Sequence, residues 1–244
     1  MADGTPICDK CGIVISKYLA RLESTANGQA ALKVVSPAIN SADSESGFSI
    51  RDMFFYVPAE VNYFYLAGRA IVLLVMFFWG LKFFSSTIAG NYSGESFLHL
   101  VNLPFHEAGH VIFRIFFSRF MMVLGGSLGQ LIIPLVCLLT LLIKTRDTFG
   151  ASVCLWWFGE NFLDLAPYIN DARARELILL GGGNGRESES YGVIHDWYYI
   201  LSHLGWLQYD HALANSASFI GKSLMVCALL WGGLILFKQF KAVH

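Results

Sequence analysis

Residues 65–84 read YLAGRAIVLLVMFFWGLKFF, an apolar run of roughly the 20 residues that a bilayer core requires of a helix. Its two charges, Arg69 and Lys82, sit near the ends, where long side chains snorkel to the interfaces. In lipid such a run must satisfy its own backbone, so it has to be helical. Further apolar runs cover 97–117, 128–143, 149–169 and 219–237, and the aromatic segment 193–208 is a sixth that crosses or dips into the bilayer. With 55% hydrophobic and only 14% charged residues, and a mean hydropathy of +0.52, the chain is too apolar for an ordinary soluble domain. The expected fold is all-α: a polytopic, multi-pass integral membrane protein with five to six transmembrane helices.

Loop 85–96 lacks Lys and Arg, which by the positive-inside rule faces it outward and puts the N-terminus in the cytoplasm. No long apolar core follows a basic start in the first 55 residues, so the first membrane helix is expected to act as its own insertion signal. Residues 1–55 form a polar N-terminal segment, with an amphipathic stretch at 13–34 and a Ser-rich linker at 36–49; residues 56–244 form the membrane domain. A net charge of −1 and the lack of a basic patch interleaved with aromatics argue against nucleic acid as a partner. Of five cysteines, only Cys8 and Cys11 are close together, as CDKCG, half of a zinc-ribbon signature. Without a second CxxC, a metal there needs ligands from a protein partner or a dimer mate; otherwise the pair is inert.

Inside the second run lies FHEAGHV, which sets His106, Glu107 and His110 in HExxH spacing. On a helix, residues four apart share a face, so both imidazoles can reach one metal ion while Glu107 addresses its water. Ionisable groups are costly in a bilayer and seldom sit there without a role. Pro104 is expected to kink this helix two residues before the first histidine. The following GGSLGQ, residues 125–130, is expected to be a re-entrant loop lining the site or a plain turn between helices.

A catalytic zinc usually takes three protein ligands and leaves the fourth position to water. In the fourth run Asn161, Asp164, Tyr168 and Asp171 fall on one helical face, so Asp164 or Asp171 can supply the missing ligand and Asn161 can support it. The alternative is that these groups cap the helix and meet headgroups beside Arg173 and Arg175. Further on, Asp196, His203 and Asp210 recur every seven residues among Trp197, Tyr198, Tyr199 and Trp206, an interfacial pattern. There His195 and its neighbour Asp196 can support the site, and His195 can orient a ligand or supply one.

HEAGH in one membrane helix, with Asn161, Pro167 and Asp171 at the end of another, resembles the site-2 protease family of intramembrane zinc metalloproteases. That family pairs HExxH with a later Asn…Pro…Asp-Gly motif. The resemblance implies His106 and His110 as zinc ligands, Glu107 as general base and Asp171, favoured over Asp164, as third ligand. Here the Asn-to-Pro gap is longer and Ala172 stands where the family has Gly. The function expected is hydrolysis of peptide bonds in a membrane protein or peptide substrate, at or near the bilayer. The alternative is a non-proteolytic zinc-binding membrane subunit or scaffold, its site closed by four ligands such as His106, His110, Asp171 and His195.

Overall fold

A computed structural model describes residues 50–58, 62–180, 182–187 and 194–243. Cys8, Cys11, the amphipathic stretch and the linker lie outside the described residues. The chain divides into two units, Met1–Gly47 and Phe48–His244, and every described residue belongs to the second. Its elements are α1 (Ile50–Phe55), α2 (Tyr63–Ser85), α3 (Phe97–Phe113), α4 (Arg119–Leu139, continued by a π-helical stretch Thr140–Thr145), α5 (Thr148–Asn170), α6 (Asp196–Leu204) and α7 (Asp210–Val243). Among the described residues there is no strand, only one isolated bridge between Ile178 and Asn184.

Three helices, Tyr63–Ser85, Arg119–Thr145 and Leu207–Ala242, are long and apolar enough to cross a membrane. Their outward faces are greasy: Phe64, Ile71, Phe78, Val136, Ile143, Leu230 and Phe237 are all exposed. The interior, by contrast, buries Asn102, Gln130, Glu160, Asn161 and Asp164. Apolar outside and polar inside is the pattern of a bundle whose solvent is hydrocarbon. Residues 50–55, expected with the polar segment, instead pack on the bundle: Trp231 donates to the Phe54 carbonyl at 2.8 Å and the two rings stand 5.7 Å apart.

The glycine run differs from both expectations. Residues 125–130 are neither loop nor turn but lie within α4. Their task is close helix contact: a Cβ at Gly129 would lie 2.5 Å from the Phe105 carbonyl oxygen, and one at Gly109 would strike the Gly125 carbonyl oxygen. Side-chain-free surfaces let α3 and α4 touch backbone to backbone, the membrane use of small residues four apart. A second crossing of this kind joins α5 and α7, where a Cβ at Gly159 would meet the Gly221 carbonyl oxygen at 2.8 Å.

One further expectation shifts. Segment 193–208 yields α6, nine residues long and so only about 14 Å, too short to cross. Pro104, Pro134 and Pro167 all lie inside helices. Pro167 has no N–H for the carbonyl of Leu163, and the Ser93 hydroxyl takes up that acceptor at 2.7 Å. Loop 86–96 thus repairs the bond that the proline removes from α5. Gly159→Leu is expected to force α5 and α7 apart and lower stability by at least about 1–3 kcal/mol, read as a fall in the thermal midpoint of the detergent-solubilised protein.

Candidate metal centre

His106 and His110 lie on the face of α3 pressed against α4, with ring centroids 4.9 Å apart. His110 Nδ1 is 2.9 Å from the Met122 carbonyl oxygen, which can only accept, so Nδ1 carries a proton and Nε2 is the atom left to face the site. His106 Nδ1 is 2.8 Å from Gln130 Oε1, while the Gln130 amide nitrogen donates to Asp164 Oδ2 at 3.3 Å. The carboxylate of Asp164 thereby sets the amide's orientation, and the amide sets the imidazole's tautomer. Both Nε2 atoms turn to the same point.

At that point stands Asp196 Oδ2, 3.0 Å from His106 Nε2 and 3.2 Å from His110 Nε2. Three acceptors at this spacing repel one another unless a cation, either a proton or a metal ion, lies among them. Zinc with ligands at about 2.0–2.1 Å would space a tetrahedral set about 3.3 Å apart, so the donor set fits the ion in type and spacing. Among the described residues this is the group of three or more His, Cys, Asp or Glu that could hold a metal. Gly126 makes room for it: a Cβ there would lie 2.5 Å from His106 Nε2 and 2.6 Å from His110 Nε2. Glu107 is exposed on the same helix.

The two aspartates expected as third ligand point elsewhere. Asp164 is buried and spends its oxygens on His99 Nδ1 at 2.8 Å, on Asn102 at 3.1 Å and on Gln130. Asp171, the favoured one, accepts from the N–H groups of Glu176 and Leu177 at 2.9 and 3.0 Å and lies 3.3 Å from His195 Nε2. Burial alone would raise its pKa, but the bonds from His195 and the two amides outweigh that and hold it below the ordinary carboxylate range. Its work is to fold the loop after α5. Asn161 donates to the Trp157 carbonyl within its own helix and does not join the group.

His195 is not a ligand either, since both ring nitrogens are engaged. Nδ1 accepts from the Tyr198 N–H at 3.2 Å as the N-cap of α6, and Nε2 faces Asp171. The Asp196 N–H in turn donates to the Tyr168 hydroxyl at 2.9 Å, and the Tyr168 ring lies 4.3 Å from that of His195. His195, expected to orient or supply a ligand, therefore sits where it fixes the start of the helix that delivers Asp196.

Sequence reading passed over Gln130 as an anchor, and with it Asn102, His99 and Glu160. Asn102 binds Glu160 at 3.0 Å and Asp164, and accepts from Trp157 at 2.9 Å, tying α3 to α5. The signal available was that each is a polar residue in an apolar run. Comparison with known protein families, curated proteins and solved structures returned no match. Gly126→Ala is expected to abolish metal binding, and Gln130→Leu to weaken it by about 10–100-fold, both measured by competition with a zinc chelator.

Proposed function

We propose that the chain is a multi-pass membrane zinc metallopeptidase, similar to the site-2 protease family in its HExxH helix but taking its third ligand, Asp196, from the segment after the polar loop. The observation that carries this reading is the convergence of the two Nε2 atoms of an HExxH helix on one carboxylate oxygen, at 3.0 and 3.2 Å. Three protein ligands leave a fourth position for water, which favours a catalytic over a structural site. The closed alternative needs His195 and Asp171 as ligands, and these two are bonded to each other.

Zinc held there by His106, His110 and Asp196 would supply a Lewis acid that lowers the pKa of water towards about 7. Glu107 would act as the general base, taking a proton from water and passing it to the leaving amine. Gln130 and the Met122 carbonyl hold the imidazoles by their Nδ1–H groups. A transmembrane substrate must unwind locally before its peptide bond can reach the site, because a helix backbone in lipid is already fully hydrogen bonded. The membrane placement that goes with this reading has α2, α4, α5 and α7 crossing, four rather than five or six, with both ends of the bundle on one face. The loop without Lys or Arg assigns that face to the cytoplasm.

The test uses full-length protein in detergent with a membrane-anchored peptide. Glu107→Gln should keep its zinc and lose turnover by about 10²–10⁴-fold. Asp196→Ala should lose the zinc, whereas Asp171→Ala should keep a weakened site. Equal cleavage by Glu107→Gln and parent sinks the mechanism. Zinc lost in Asp171→Ala but kept in Asp196→Ala makes Asp171 the ligand. Stoichiometric zinc without cleavage of any membrane-anchored peptide leaves the non-proteolytic subunit as the reading.

A further inference from the structure

At the N-terminal end of α4 a small cavity of about 150 Å³ is lined by Arg119, Arg175, Gly185, His195, Tyr198 and Tyr199. Two guanidinium groups form its walls, each laid on a tyrosine ring: Arg119 Cζ is 5.3 Å from the Tyr199 centroid and Arg175 Cζ 4.2 Å from that of Tyr198. Arg119 has no carboxylate partner among the described residues. Arg119 thus gives the wall a cation whose planar fork suits an oxyanion. Its volume equals about five waters at roughly 30 Å³ each, room for the five heavy atoms of a phosphate group.

The surface beside the cavity is of the opposite character. Immediately before Arg119, Ile115, Phe116 and Phe117 are 66%, 55% and 100% exposed. Phe117 is held in the left-handed region at φ 51°, a conformation that is strained for an L-residue of this size. A strained turn that presents a bare phenyl ring suits an apolar medium, and Arg119 opens a helix long and apolar enough to cross one. Cationic cavity and apolar tip two residues apart match the two ends of one molecule.

We propose that the Arg119 cavity holds the phosphate of an anionic phospholipid whose acyl chains lie against Ile115, Phe116 and Phe117. This goes beyond the metallopeptidase reading and does not rest on it; it needs the membrane placement alone.

The test is lipid retention by the purified full-length protein from nanodiscs of phosphatidylcholine with and without phosphatidylglycerol, read by native mass spectrometry. The parent should retain phosphatidylglycerol in preference, Arg119→Gln should retain about 10-fold less, and Arg119→Lys, which keeps the charge and controls for folding, should fall between. Lys144→Gln, at the other end of the helix, should behave as the parent. His106→Ala, which removes a proposed metal ligand, should still retain the lipid, so that failure here and failure of the zinc reading are told apart. Equal retention by parent and Arg119→Gln overturns the site. In a parallel arm without lipid, inorganic phosphate is added to the detergent-solubilised protein. If it raises the thermal midpoint through Arg119 while phosphatidylglycerol shows no preference, the ligand is phosphate from the water phase and the lipid is overturned.

Discussion

The backbones of α3 and α4 touch, and the rest of the centre depends on that contact. Gly109, Gly125 and Gly129 leave no side chain at the points of closest approach, so there α3 meets the peptide groups of α4. Close approach puts the Met122 carbonyl within reach of one imidazole and the Gln130 amide within reach of the other. Gly126, one residue on from Gly125, leaves the volume in which both Nε2 atoms meet Asp196. One glycine run thus serves packing with Gly125 and Gly129 and chemistry with Gly126.

Behind this contact the core sets buried polar groups beside its apolar clusters. Polar groups buried in hydrocarbon cost several kcal/mol each when unpartnered, which favours chains of donors and acceptors over scattered polar atoms. Asp164 gathers His99, Asn102 and Gln130, and through Gln130 it fixes a histidine that it never touches. The same pressure explains Ser93 on the carbonyl that Pro167 leaves open.

Much of the frame was legible in the sequence because hydrocarbon imposes a simple rule. The limits expected for the second and fourth runs fall close to those of α3 and α5, since apolar length and helix length coincide there. HExxH was legible because its two histidines are four residues apart and need no tertiary information. Asp196 was noted as a supporting residue and not as a ligand: it lies 90 residues from His106 in a stretch whose aromatics suggest an interface. The glycines were read locally as helix breakers, a reading suited to water; between lipid-immersed helices the lack of a side chain is an asset. Asp171 lies on the expected face, but two backbone amides six residues or fewer ahead claim its oxygens. Nothing in residue spacing signals that competition.

Tyr168 and Asp171 hold the beginning of α6, and Asp196 is its first residue. Two of the converging groups therefore belong to a rigid helix pair, while the third rides on a nine-residue element fastened by a phenol and a carboxylate. These parts have different lifetimes. Undocking α6 would break these bonds and expose Ile200 and Leu201, whereas separating α3 from α4 would dismantle the bundle, so α6 is the less firmly held of the two. A cation shared by the three groups would then leave by the opening of one short helix rather than by global unfolding.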